Sequence, residues 1–218
     1  MFTGIIREIG TVARVERLRG VVRVTISAPK TAGRAQRLDS VAVNGVCLSV
    51  VAVRHDALRF DMIPETRTLT ALGRLRRGDR VNLEPSLLVT DRLSGHLIFG
   101  HVDGTGVVAA RRQHAGELVL TVRVAPVLRR LLVPKGPVTV DGVSVTVGRA
   151  LTRSTFTIHL IPETLRQTTL GQRQAGEAVN LELDYFAKLT RQFLTEIGRS
   201  AGAARRPAHS ARTRAHRR

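Results

Sequence analysis

Four small polar side chains stand at matched places in this chain. Cys47 and Ser49 lie in NGVCLSV, and Ser144 and Thr146 lie in DGVSVTV. Residues two apart on a strand share a face, so each pair offers neighbouring groups that can relay a proton or position a nucleophile. Each pair follows a tight-turn dipeptide, Asn44-Gly45 or Asp141-Gly142. Alone, Cys47 reads as a small core residue. Four aligned polar positions read instead as a pocket at a barrel mouth, with these groups facing inward. His96 and His101 flank a short Gly-containing stretch, and an imidazole can exchange protons near neutral pH. Lys135 precedes the second hairpin and has no lysine counterpart before the first. Metal-ligand spacings, a Walker loop, a strand followed by GxGxxG, and a Gly-x-Ser-x-Gly elbow are all missing. No metal or cofactor is therefore expected.

The elements that must hold these groups come in two copies. FTGIIREIGTV (Phe2–Val12) matches IFGHVDGTGVV (Ile98–Val108) at an offset of 96. VAVNGVCLSV (Val41–Val50) matches VTVDGVSVTV (Val138–Val147) at 97, and IPETRTLTALG and GDRVNLE match IPETLRQTTLG and GEAVNLE at 98. Against this symmetry His101 takes the place of Ile5, so the fold does not require a histidine there. A period this long makes each copy a domain with its own core. The expected division is residues 1–95, a second domain over 96–183, a helix over 184–197 and a disordered tail over 198–218.

Each copy shows six short strand-like runs broken by Gly, Asn and Asp, which predicts an all-β fold of two small closed barrels. Pro64-Glu65-Thr66 and Pro162-Glu163-Thr164 start one- or two-turn helices. Pro126–Leu132 is another short helix candidate. Tyr185, Leu189, Phe193 and Ile197 recur every four residues, an amphipathic helix without a counterpart after the first copy and thus an expected assembly element.

Hydrophobic residues form 43% of the 218 and aromatics 3%, so the cores must be mostly Val, Leu and Ile. The net charge is +18, with seven Arg and no acid in Ile197–Arg218. Gly198–Arg218 holds no Leu, Ile, Val or Phe to bury. The other basic residues are scattered and not interleaved with aromatics, which disfavours nucleic-acid binding. One cysteine permits no internal disulfide, and neither a secretory signal nor an apolar run long enough to span a membrane is present. A cytoplasmic protein is expected.

MFTGI, NGVCLSV, IPET, SGHLIFGHVDGTG, KGPVTVDGVSVTV, IPETLRQTTLG and VNLELD, in this order, resemble the riboflavin synthase family of the alpha-chain type. The resemblance runs from residue 1 to about residue 195. It implies two six-stranded Greek-key barrels, a helix-assembled homotrimer, and sites formed between the first barrel of one subunit and the second of a neighbour. It also implies a cofactor-free dismutation of two 6,7-dimethyl-8-ribityllumazine molecules. A reaction between two copies of one substrate with different fates suits two similar but unequal pockets. By motif match, Gly4, Ile5, Ile6, Cys47, Leu48, Ser49, Asp61, Met62, Ile63, Pro64, Glu65 and Thr66 are expected to line the first. Gly100, His101, Val102, Lys135, Ser144, Val145, Thr146, His159, Leu160, Ile161, Pro162, Glu163 and Thr164 are expected to line the second. His101, Cys47, Ser144 and Thr146 are the expected proton-handling or nucleophile-positioning groups, with Phe2 and Asp184 closing and polarising the site. Association with lumazine synthase is a further partner expectation.

Three features depart from the family pattern: Ser94 where a second Gly is usual, Ser49 for a common Thr, and Phe99, expected to narrow the second pocket. Another reading keeps the fold without catalysis, as a lumazine- or flavin-binding protein. The retained polar sets in both copies favour the enzyme.

Overall fold

The computed structural model describes residues 1–114 and 116–204. Alternation within the strands decides the architecture. Val22, Val24 and Ile26 are buried on one strand, and Leu58, Phe60 and Met62 on its neighbour, while the residues between them are half-exposed. A strand with one apolar face must cover it, and curling the sheet on itself does so while removing both edges. In the first half the strands are β1 (Glu8–Arg17), β2 (Val22–Ser27), β3 (Ser40–Val43), β4 (Val46–Arg54), β5 (Ala57–Met62) and β6 (Arg80–Pro85). They close in the order β1-β2-β5-β4-β3-β6, every pair antiparallel.

The second half repeats this. Its strands β7 (Gly104–His114), β8 (Glu117–Arg123), β9 (Pro137–Val140), β10 (Val143–Leu151), β11 (Thr155–Leu160) and β12 (Ala178–Leu183) close in the same circuit. Even the irregularities recur: a bulge between Val12 and Arg14 has its twin between Val108 and Ala110. Each barrel has its own aliphatic core with one phenylalanine on the fifth strand, Phe60 or Phe156. Burying each Val, Leu or Ile contributes about 1.5–3 kcal/mol.

The barrels meet about an approximate two-fold axis. Asn44-Gly45 and Asp141-Gly142 form tight hairpin turns with positive φ throughout (44°, 79°, 45° and 79°), and the two turns pack back to back. Asn82 on β6 reaches across, donating to the Asp141 carbonyl (2.8 Å) and accepting the Thr169 N–H (2.8 Å). Asn180 on β12 mirrors it, donating to the Asn44 carbonyl (2.9 Å) and accepting the Ala71 N–H (2.7 Å). The symmetry breaks at Asp141, which is fully buried and paired with Arg173 at 2.8 Å. Burial raises its pKa and Arg173 opposes that.

Helices fill the connections. The four short α-helices among the described residues, α1 (Pro29–Ala32), α2 (Pro64–Leu69), α3 (Pro126–Arg129) and α4 (Pro162–Gln167), all start on proline. The last, α5, runs Tyr185–Ala204. Asp184 caps it, its Oδ1 accepting the Ala187 N–H at 2.9 Å. This corrects the expected division at 197: the segment read as disordered from residue 198 continues the helix to Ala204. Lack of apolar residues forbids burial but not helix, since an existing helix extends readily through alanine. Residues 205–218 of the expected tail lie outside the described residues. No helix among those described is long and apolar enough to cross a membrane.

Candidate functional site

The polar pairs face outward. On β4, Val46, Leu48 and Val50 point into the first core, which turns Cys47 and Ser49 to the outer surface. On β10, Val143 and Val147 are core, and Ser144 and Thr146 are turned out. The expectation of inward-facing groups is thus corrected. Aliphatic residues alternating with them hold the interior, and a barrel of six short strands has no room for a ligand as well.

What covers these outer faces is a crossing of two segments. Phe2 and Ile98, equivalent residues of the two copies, exchange main-chain hydrogen bonds of 2.8 and 3.1 Å. Beyond this bridge each segment runs onto the opposite barrel. The Gly4 carbonyl accepts the Ser144 N–H (2.9 Å), and the Gly100 carbonyl accepts the Cys47 N–H (2.9 Å). Ile6 packs on the second core and Val102 on the first. Both glycines have positive φ, and a Cβ on Gly4 would stand 2.6 Å from that of Ser144. The expected grouping is therefore exchanged. Gly100, His101 and Val102 join Cys47 and Ser49, whereas Gly4, Ile5 and Ile6 join Ser144 and Thr146. The motif alignment places each segment with the barrel that follows it in sequence, and the crossing sends it to the other.

Buried carboxylates hold the crossing in place. Glu84 accepts the N–H and hydroxyl of Thr3 (2.7 and 2.8 Å) and the Gly4 N–H (2.9 Å). Glu182 accepts the N–H groups of Phe99 (2.8 Å) and Gly100 (2.9 Å). Burial raises the pKa of both, against these hydrogen bonds. Neither was singled out from the sequence, although an acid inside each VNLE strand was a usable signal.

His96, named with His101 from the sequence but assigned to neither pocket, lies beside the second barrel's polar pair. Its Nδ1 lies 2.7 Å from Ser144 Oγ and its Nε2 3.2 Å from Thr139 Oγ1. Burial lowers its pKa, and the Asp184 carboxylate opposes this. His101, favoured from sequence, is exposed and stacks 6.1 Å from Phe99, whose ring in turn meets Tyr185 at 4.9 Å. Phe99 thus stands between His101 and the start of α5, on the segment that crosses to the first barrel.

The remaining expected residues divide by orientation. Leu48, Met62 and Leu160 belong to barrel cores, which leaves only their main chains for a ligand. Val145 is half-buried against the second core. Ser49, Ile63, Pro64 and Glu65 are exposed, with Thr66 half-buried; Thr146, Ile161, Pro162 and Glu163 are exposed, with Thr164 half-buried. Asp61 is gripped at both oxygens by Arg23 (2.7 and 2.8 Å), whose hydrogen bonds lower its pKa. The matching His159 meets Glu117 at 3.0 Å. Lys135 is exposed in a left-handed conformation (φ 65°), and so is its counterpart Leu38 (φ 77°). Phe2 is wholly buried against Ala42, Ile98 and Cys47. Asp184 caps α5 close enough to His96 to act on its charge.

The crossing segments leave Ser49 and Thr146 exposed, with Cys47 and Ser144 half-buried beneath them. Cavities of about 760 Å³ beside Arg7, Lys30 and Glu84, and of about 500 Å³ in the crevice below the hairpin turns, lie away from Cys47 and Ser144. Two related but unequal polar faces, one on each barrel and each crossed by the other half's segment, define a protein of two reciprocally crossed β-barrels.

Comparison with known proteins narrows that class. The family model "Lumazine binding domain" matches twice, over residues 3–86 and 99–184. The riboflavin synthase of Mycobacterium bovis is 43% identical over 205 residues, 93% of this chain and 100% of that one. The Bacillus subtilis riboflavin synthase is 38% identical over 194 residues, 89% of this chain and 90% of that one. Among solved structures, LumP complexed with riboflavin superposes with a TM-score of 0.79 at 23% identity, covering 84% of this chain and 100% of that chain, a likeness of fold. The chain belongs to the riboflavin synthase family of tandem lumazine-binding domains.

Proposed function

We propose that this protein is a riboflavin synthase. It converts two molecules of 6,7-dimethyl-8-ribityllumazine into riboflavin and 5-amino-6-(D-ribitylamino)uracil by moving a four-carbon unit from one to the other, the last step of riboflavin biosynthesis. The observation that carries this reading is identity of 38–43% to curated riboflavin synthases over about nine-tenths of the chain. The crossed polar faces suit it. One substrate sits at the Cys47–Ser49 face with Gly100, His101 and Val102, and one at the Ser144–Thr146 face with Gly4, Ile5 and Ile6. The segments before and at α2 and α4 border the two faces, and the domain boundary falls near residues 95–96.

Holding two lumazine rings against each other replaces a bimolecular encounter with a fixed geometry. The 7-methyl protons are acidic because the ring delocalises the resulting carbanion, so a modest base suffices. Neither open face can enclose a ring by itself. Phe186, Phe193, Leu194 and Ile197 lie 60–65% exposed on α5, a surface that supports assembly into a homotrimer. In that assembly the first-barrel face of one copy meets the second-barrel face of the next, and Lys135 lies at the rim. A cytoplasmic location and docking with lumazine synthase belong to the same reading.

The test is incubation of the purified protein with 6,7-dimethyl-8-ribityllumazine and no added cofactor. Riboflavin should appear at half the molar rate of lumazine loss. Lumazine that binds without being consumed would instead mark a binding protein.

A further inference from the structure

We propose that the head of α5 is a brace for the first barrel's face: Tyr185, through Phe99, and Lys188, through Asp103, fix where the crossing segment presents His101 to substrate. This rests on the activity proposed above. The segment is pinned on both sides of His101. On one side the Gly100 N–H donates to Glu182 (2.9 Å) and the Gly100 carbonyl accepts the Cys47 N–H (2.9 Å). On the other, the Asp103 N–H donates to the Leu181 carbonyl (2.8 Å) and Asp103 Oδ2 accepts the Leu183 N–H (2.8 Å). Lys188 Nζ then meets both Asp103 oxygens, at 3.0 and 2.9 Å. The pair is half-buried, so salt screens it less than a surface pair.

Main-chain pins alone leave the His101 side chain free to turn. Its ring rests on Phe99 at 6.1 Å with the planes 26° apart, and Phe99 meets Tyr185 at 4.9 Å. Rings this close attract and favour a definite angle. Lys188 Nζ lies 6.0 Å from the centre of the Tyr185 ring, so the two arms of the brace meet. The other acids near Lys188 are engaged elsewhere. Glu182 holds Phe99 and Gly100, and Asp184 Oδ1 caps Ala187.

The first copy shows what the brace adds. Its crossing segment follows the same main-chain path, with the Arg7 N–H on the Leu83 carbonyl (2.9 Å) and a buried Glu84 on Thr3 and Gly4. Holding the crossing therefore needs no brace. But Arg7 stands where Asp103 stands, Thr3 where Phe99 stands, and Pro85, in place of Leu183, has no N–H to give. The chain after β6 leads into the connection through Leu88 and not into a helix. The residue presented there is Ile5, an apolar side chain that needs no aiming. The polar ring of His101 does need it, and only its segment has the means. Tyr185 and Lys188 act through other residues and are positioning residues.

Four variants separate the brace from the helix that carries it. Tyr185→Ala and Lys188→Met remove its arms, whereas Tyr185→Phe and Lys188→Arg keep the ring and the charge. Each is compared with the wild-type chain for kcat and KM with 6,7-dimethyl-8-ribityllumazine, lumazine affinity, particle size by light scattering, thermal midpoint, and the NMR ring-proton resonances of His101, assigned with His101→Gln. The expected result is kcat/KM lower by about tenfold in Tyr185→Ala and Lys188→Met and within about twofold of wild type in Tyr185→Phe and Lys188→Arg. Size and midpoint should be unchanged, and the His101 resonances should move toward those of a free imidazole in the first two variants alone. Wild-type kinetics in Tyr185→Ala and Lys188→Met, or His101 resonances that do not move, overturn the proposal. So does a loss that follows a smaller particle or a lower midpoint, since α5 would then act only through assembly or stability. Equal losses in Tyr185→Phe and Lys188→Arg overturn it as well. A wild-type chain that binds lumazine but forms no riboflavin overturns the activity reading; the His101 resonances and the lumazine affinities, which need no turnover, then decide the brace.

Discussion

Gly45 and Gly142 stand so close across the approximate two-fold axis that a Cβ on either would lie 2.7 Å or less from the other's main-chain nitrogen. Each also has φ of 79°. Gly45→Ala should therefore meet both backbone strain and a clash with main chain that cannot rotate away. The expected loss is about 2–4 kcal/mol. Gly20→Ala is the control, because Gly20 has a similar φ (84°) with open space around it, and should lose only about 1 kcal/mol. Calorimetric melting of the two variants decides; equal losses would mean that the contact between the turns contributes little.

Asn82 satisfies one main-chain donor and one main-chain acceptor of the other half. Asn82→Ala leaves the Thr169 N–H and the Asp141 carbonyl buried without these partners, at about 1–3 kcal/mol each. Denaturant unfolding should show a lower midpoint and two separable transitions, one per barrel, where the native chain is expected to show one. A single transition at the native midpoint would contradict this.

Stability should respond to pH with opposite signs at two places. Glu84 and Glu182 have folded pKa values raised above the ordinary 4.5. The folded state thus keeps protons that the unfolded state has lost, and stability falls as pH rises from 4.5 through the folded values. His96 has a folded pKa lowered below 6.5. There the unfolded state binds the extra proton, so stability is full above 6.5 and declines as pH falls through the folded value. Urea titrations across this range should show the decline below pH 6.5 in the native chain and a shallower one in His96→Gln.

The exposed stripe on α5 predicts an assembly defect. Leu194→Asp should convert the assembled protein to monomers in light scattering while leaving the barrel melting within about 0.5 kcal/mol, because Leu194 is 64% exposed. Riboflavin formation should fall with assembly if the open faces need a neighbour.

The fold was legible because its cause is local. Val22, Val24 and Ile26 announce a one-faced strand, the two hairpins announce tight turns, and the repeat supplies everything twice. The site was legible in its residues but not in its grouping. Nothing in Gly4 or Gly100 tells which barrel the chain crosses to, since that depends on Phe2 meeting Ile98 some hundred residues away in sequence. Comparing the copies singles out His101 against Ile5, whereas the sequence names His96 without showing that its ring meets Ser144 and Thr139. The inward reading of Cys47 and Ser144 failed for a different reason: strand periodicity pairs residues on a face without saying which face is inside, and the aliphatic residues between them decide it.

The crossing of Phe2–Ile6 and Ile98–Val102 has a consequence for how the two halves stay together. In topology the tandem chain resembles an arm-exchanged dimer whose protomers have been joined end to end, because the outer face of each closed barrel is crossed by an arm belonging to the other. The connection through Leu88 and Val89, 70% and fully exposed, then serves to keep the halves at high effective concentration and need not impose their arrangement. A chain nicked there should remain a single particle, held by the exchanged arms and by the Asn82 and Asn180 hydrogen bonds across the axis.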